Sequence, residues 1–394
     1  MYNYYTNSLF TSNTGSPGTE YWNSAYRFIY ICNEAIEGLS ASTSLTPAVQ
    51  QQLLGEAKFT RAFLYFYLVN LYGSVPLATS SDYEVNARLS RSPVDTVYQQ
   101  IVKDLNDAQG LLADNYMGPD VKTLTPERVR PNKWAAMALL ARVYLFKGDY
   151  PNAEAQATAV INHSSVYGLT TLDSVFLKNS REAIWQLQPI FTGWNTEDAK
   201  VFIIPASGPS YGYLGHPVYL SSDLLNSFEP GDQRSVPGNW IDSVSYAVSQ
   251  TERDTVYFPY KYKSATFGSP VTEYLMVLRL GEQYLIRAEA RAHLGEATAV
   301  DDLNAIRNRA GLPNYTGLTD QASLLAAILH ERRVELFSEW GHRWLDLKRT
   351  NTVDAVMTAA CAAKGGTWQS YQQWYPILAS DIEKDQNLVQ NTGY

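Results

Sequence analysis

The chain has 394 residues, 45% of them apolar and 18% charged, so it can bury a sizeable core and is not a disordered polymer. Its net charge of −8, without any long basic run, argues against a nucleic-acid binder, and no stretch of about 18 or more apolar residues marks a membrane span. Tyrosine is unusually abundant, with 28 residues beside 13 Phe and 9 Trp, which supplies flat amphipathic rings for interfaces and ligand platforms as well as for a core.

The first residues, MYNYYTNSLF, contain neither a basic nor an apolar export region. Thr46-Pro47 has the pattern of an N-cap followed by proline at the first helical position. The apolar run through Leu53, Leu54, Phe63, Phe66 and Val69 then predicts a helix that stops at Gly73-Ser74-Val75-Pro76. Ser92-Pro93 opens a second, with Val97, Ile101, Leu105, Ala108 and Leu112 at spacings of three and four. A third runs from about Asn132 to Lys147, ends at Gly148, and is followed by a partner helix from near Asp149 to about Ile161. Residues 20–181 are thus expected to form helical hairpins.

A weak internal repeat supports hairpins. Ala141 and Gly148 stand seven residues apart, as do Ala288 and Gly295, each inside an apolar helical pattern that resumes after the glycine. A small residue there lets two helices approach closely at their turn, the logic of tetratricopeptide repeats. Between about 182 and 280 the pattern changes to Gly, Pro, Ser, Tyr and Asp, with strand-like pieces at Ala183–Leu187 and Tyr257–Tyr262. A segment this long without regular structure implies a functional insertion. Helices resume at about Gly281, a further one is expected from Thr319 to Trp340, and the last 25 residues read as mostly irregular. The fold class is therefore mostly α: tetratricopeptide-like hairpins as scaffold, with a long loop and short-strand insertion.

Chemical motifs are sparse. His330-Glu331 begins like a zincin helix, but Val334 stands where the second histidine is needed, and the other histidines are scattered. Calcium loops, G-x-S-x-G, P-loop and G-x-G-x-x-G patterns are absent, and no cofactor is implied. Cys32 and Cys361 read as small apolar core residues. The charge-dense stretch from Leu329 to Arg349 reads as scaffold, with arginine forks tying a helix to its neighbours. No pair among the 39 acidic residues stands out as a glycosidase couple. The aromatics of the insertion differ from core aromatics because Trp194, Tyr211, Tyr213, Tyr219, Trp240 and Tyr246 lie in polar, turn-rich sequence. Such rings can cover the C–H face of a sugar while neighbouring polar groups bond its hydroxyl rim. Trp194, Tyr211, Tyr213 and Trp240, with Asn195 and Asp198, are therefore the expected glycan contacts.

Two stretches carry a resemblance. Gly55-Glu56-Ala57-Lys58-Phe59-Thr60-Arg61-Ala62-Phe63, continuing to Leu71-Tyr72-Gly73-Ser74-Val75-Pro76-Leu77, resembles the signature of the SusD-like family, as does Glu331-Arg332-Arg333-Val334-Glu335-Leu336 with Gly341-His342-Arg343-Trp344-Leu345-Asp346-Leu347-Lys348-Arg349. The repeat at Leu140–Tyr150 falls between them, and Tyr375-Pro376-Ile377-Leu378 with Asn387-Leu388 to Tyr394 is similar to the family's ending. The resemblance implies a single SusD-like domain over 1–394 that captures oligosaccharides or polysaccharides without cutting them. It implies delivery to a SusC-like TonB-dependent outer-membrane transporter, and a cell-surface lipoprotein. Because the family begins with an export signal, a lipid-bearing cysteine and a further helical stretch, this sequence is expected to be N-terminally truncated, with its anchor outside the chain and Cys32 not the lipid site. The family's signature residues are scaffold, so they do not transfer as sugar contacts. Two alternatives stand beside this reading: a helical-repeat scaffold that docks another protein, and a glycoside hydrolase.

Overall fold

The structure is a computed structural model describing residues 2–11, 18–212 and 215–394. The chain folds into two compact units, each assembled from separate stretches: residues 1–123, 131–147 and 344–394 form one, and 124–130 with 148–343 form the other.

The first unit is a stack of long helices. Pro47–Tyr72 packs against both Glu20–Ala41 and Val94–Leu111, and the latter packs against Lys133–Phe146. Pro47 occupies the first turn as expected, with Thr46 extended ahead of it. The central helix buries Phe59, Ala62, Tyr65, Phe66, Leu68, Val69 and Tyr72 on nearly all sides, which is why its apolar pattern is a run and not a single stripe. One polar knot crosses this core: the Arg61 guanidinium donates to both oxygens of Asp104 at 2.8 and 2.7 Å and to Asn33 Oδ1 at 2.8 Å. Three helices are thereby pinned through one saturated, bidentate group. The C-terminal residues return to this unit, where Asn391 donates to the carbonyls of Tyr72 and Tyr375. They contain only short helical turns, at Ser370–Gln373 and Ala379–Lys384.

In the second unit the helix Leu280–Leu294 is central, contacting Tyr150–Asn162, Ala299–Arg309 and Gln321–Glu335. Ala288, Ala292 and Ala299 let these helices close around Leu303, Leu324 and Ile328. The repeat glycines turn the chain as expected: Gly148 and Gly295 have φ of 72° and 73°, values that a side chain disfavours. The second copy of the repeat is a packed hairpin. The helices of the first copy belong to different units, and Tyr150–Asn162 packs along Leu280–Leu294.

The insertion is more ordered than its composition implies. Ala183–Leu187 pairs antiparallel with Leu275–Arg279, and Ile241–Ala247 forms an antiparallel hairpin with Arg253–Pro259. The strand expected at Tyr257–Tyr262 therefore lies earlier, its register set by the partner Ile241–Ala247, which has no clear alternation of its own. The last long helix ends at Glu335, short of the expected Trp340. Lys261 Nζ donates to the carbonyls of Glu335 and Phe337 at 2.8 Å each, satisfying groups that another helical turn would have used.

The charge-dense stretch is buried scaffold. Glu335 meets Arg234 at 2.8 Å, Arg279 at 2.6 Å and also Arg309. Glu331 and Asp232 engage Arg234, Glu182 engages Arg309, and Glu339 engages Arg279 and Lys261. Burial alone would raise the Glu335 carboxyl, but Arg309, Arg279 and Arg234 outweigh it and hold it well below the usual range.

Candidate functional site

Trp194 is presented by a loop that Asn195 clamps from below. The Asn195 amide donates to Ser264 Oγ at 2.9 Å and to the Pro270 carbonyl at 3.1 Å, while Oδ1 accepts from the backbone N–H groups of Thr272 and Glu273. Asn195 is buried and fully used in this role, so the expected direct sugar contact is corrected to that of a clamp. Thr196 then caps the short helix Glu197–Phe202 by accepting from Ala199 N–H. Trp194 emerges half-buried, its ring 5.5 Å from Phe267 at 60°, with Lys200 Nζ 5.3 Å from its centroid. Ile190, Phe191 and Phe267 are 82%, 54% and 67% exposed around it.

Phe267 packs beside Trp194, which together with Ile190, Phe191, Gln188 and Glu197 lines a shallow depression of about 160 Å³. That is below the ~300 Å³ at which small-molecule pockets begin, so a ligand would lie across it. Trp194, Phe191 and Ile190 offer an apolar floor, Gln188 and Glu197 supply donors and acceptors in the lining, and Lys200 stands near the Trp194 ring. Phe191, Phe267, Gln188 and Glu197 were missed in the sequence. The signal available was Pro189-Ile190-Phe191, an apolar triplet stranded among turn residues.

A second aromatic surface lies on the hairpin and its flanking loop. Tyr211 is 78% exposed, Tyr219 and Tyr257 are exposed as well, and Leu220 N–H donates to the Tyr257 carbonyl at 2.7 Å. Tyr246 packs so closely on Gly208 that no side chain would fit there. Its hydroxyl is raised by burial and by Asp254, to which it donates at 3.3 Å. Tyr213 lies outside the described residues.

Trp240 is not a platform. It has no exposed surface and packs with Phe176, Tyr262 and Phe337, its indole N–H donating to the Leu172 carbonyl at 2.8 Å. The Lys261 ammonium sits 4.7 Å from its ring and 4.1 Å from that of Phe337. The flanking polar sequence concealed this, because a lone Trp in a turn-rich segment reads alike whether it faces out or anchors the segment inward.

Asp198 is separated from the Trp194 depression as well. It lines a cavity of about 10 Å³ with Lys261, Tyr262 and Glu339, room for roughly one water and not for a sugar. Burial pushes its carboxyl up to about 6, reinforced by Glu339 and Glu197 and opposed by Lys261. Burial likewise lowers Lys261 to about 8. Since the folded-state value of Asp198 lies above its ordinary one, its charge opposes folding. The penalty is absent below the ordinary value and builds as pH rises through about 6. Asp198→Asn is expected to raise the unfolding midpoint near pH 7 but not near about pH 4, as read by thermal melts. An equal gain at both would contradict the assignment.

Among the described residues no group of three or more His, Cys, Asp or Glu side chains could hold a metal ion, and no helix is long and apolar enough to cross a membrane. Together, fold and surfaces define a class: mostly helical proteins on tetratricopeptide-like pairs, whose insertion carries shallow aromatic surfaces. Residues 1–145 match the family described as "Starch-binding associating with outer membrane", and residues 215–394 match the SusD family. The chain belongs to the SusD-like family. SusD-like protein P2 of Formosa agariphila is 26% identical over 423 aligned residues, covering 95% of this chain and 80% of that one. A SusD superfamily protein from Parabacteroides distasonis superposes with a TM-score of 0.80 at 24% identity, covering 100% of this chain and 92% of that one. A laminarin-binding SusD-like protein superposes with a TM-score of 0.74 at 26% identity, covering 98% and 87%.

Proposed function

We propose that this protein captures oligosaccharides or polysaccharides at the outer face of an outer membrane and delivers them, uncut, to a SusC-like TonB-dependent transporter. The observation that carries the reading is the ring cluster of half-buried Trp194 with exposed Phe191 and Phe267, on a loop held by Asn195 and edged by polar groups. Large apolar rings held at the surface without a core to fill suit a ligand that is apolar on one face and polar at its rim. The laminarin binding of one relative and the starch-binding description of one matching family support the same ligand class. Tyr211 and Tyr213 are proposed as a further contact surface, and attachment through a lipid on a preceding segment belongs to the same reading.

Trp194→Ala is expected to weaken glycan binding about tenfold, ~1.4 kcal/mol, measured by affinity electrophoresis through gels containing laminarin, starch or xylan. Retention equal to wild type in every gel that retards the wild type would remove Trp194 from the site. Incubation with the same glycans is expected to release no shorter sugars, and catalytic release would favour a hydrolase instead.

A further inference from the structure

A second depression in the same unit shares no lining residue with that at Trp194. It measures about 380 Å³ and lies between the end of helix Ala299–Arg309, the loop that follows it, and His330 on Gln321–Glu335. Such a volume falls within the ~300–1,000 Å³ of small-molecule sites. Tyr315 forms one wall. Its ring packs against the alanine-rich helix core, its N–H donates to Asn304 Oδ1 at 2.7 Å, and its hydroxyl donates to the Leu318 carbonyl at 3.2 Å. Held at both ends, the half-buried ring loses little freedom on meeting a ligand.

A preorganised ion pair forms another part of the lining. Arg307 donates from Nη1 to Glu229 Oε1 at 2.5 Å and from Nη2 to Oε2 at 3.0 Å, while its Nε donates to the Pro313 carbonyl at 3.1 Å. That bond to Arg307 is the main reason the Glu229 carboxyl sits below its ordinary value, so it is ionised at neutral pH. A carboxylate offers about four acceptor positions, and the arginine fork uses one on each oxygen. Capacity remains for two adjacent hydroxyls. His330 lies 4.0 Å from Glu229 Oε1, and burial lowers its imidazole, so it is neutral and brings one donor and one acceptor. Asn314 adds an amide at the rim.

We propose that this depression binds a neutral hexose unit of a glycan chain, its C–H face on Tyr315 and a vicinal pair of hydroxyls on Glu229. The preference for a neutral sugar follows from the free acceptor positions of Glu229, which suit the hydroxyl donors that a neutral ring presents. The inference rests on the glycan-capture reading and adds a second, independent saccharide position to it.

The test is isothermal titration of the whole chain and of Tyr315→Ala, Tyr315→Phe, Glu229→Gln and Trp194→Ala. The probes are hexasaccharides of β-1,3-, α-1,4- and β-1,4-linked glucose and of β-1,4-linked mannose, with far-UV circular dichroism to verify folding. The expected result is that wild type binds two equivalents of at least one probe. Tyr315→Ala and Glu229→Gln each weaken one equivalent by roughly tenfold or more, Tyr315→Phe retains it, and Trp194→Ala removes only the other. Binding of a single equivalent, sensitive to Trp194→Ala and indifferent to Tyr315→Ala and Glu229→Gln, would overturn this inference and leave the capture reading standing. If no hexasaccharide binds at all, both fail. A single equivalent lost only in Tyr315→Ala keeps the inference and removes the Trp194 site.

Discussion

Glu335→Ala is expected to destabilise the protein by about 3–5 kcal/mol, read from urea unfolding at neutral pH. The carboxylate is wholly buried and shared by Arg234, Arg279 and Arg309, so its removal takes one partner from each of three guanidiniums and leaves unbalanced positive charge in a low-dielectric interior. The pH dependence has a definite sign. The folded-state value of Glu335 is depressed by those arginines against the effect of burial. Its stabilisation is therefore complete above the ordinary carboxylate value and is lost as pH falls through the depressed one. Wild type should lose stability through that acid range more steeply than Glu335→Ala. A loss below about 1 kcal/mol at neutral pH would mean that the network tolerates the gap and that Glu335 is no keystone.

Trp240→Ala is expected to cost about 3–5 kcal/mol as well, for a different reason. The indole fills a closed space among Phe176, Tyr262 and Phe337, satisfies the Leu172 carbonyl, and faces the buried Lys261 ammonium. Truncation opens a cavity and strips an aromatic face from a cation that water cannot easily reach. Under conditions where the variant remains folded, glycan retention should stay near that of wild type, whereas Trp194→Ala should lose it. A folded Trp240→Ala that binds no glycan would reverse the roles assigned to the two tryptophans.

The contrast between these two residues shows where sequence reasoning stops. Trp194 and Trp240 both lie in polar, glycine- and proline-bearing stretches, and both have an Asn beside them. One is surfaced because Asn195 is saturated by the 264–273 segment beneath it; the other is submerged because Lys261, distant in sequence, draws the chain end of Gln321–Glu335 over it. Neither partner is local, so no window around either tryptophan distinguishes them. The same limit separates Asp198 from Glu197: adjacent in sequence, they point to different cavities because successive helical positions diverge by about 100°.

What sequence alone determined was periodic or local. Helix Pro47–Tyr72 was legible from its proline, its apolar run and its terminal glycine, and the repeat turn at Gly295 from an alanine–glycine spacing. The charge-dense motif was readable as scaffold because arginine forks and carboxylates at helical spacing have few uses other than pairing. Tertiary structure decided which of those carboxylates met which arginines, that Ile241–Ala247 would be a strand, and which rings faced outward. The ion pairs and the outward rings depend on partners tens of residues away, and the strand on a hairpin partner that only its pairing reveals; those contacts set a side chain's direction more strongly than its neighbours in the chain.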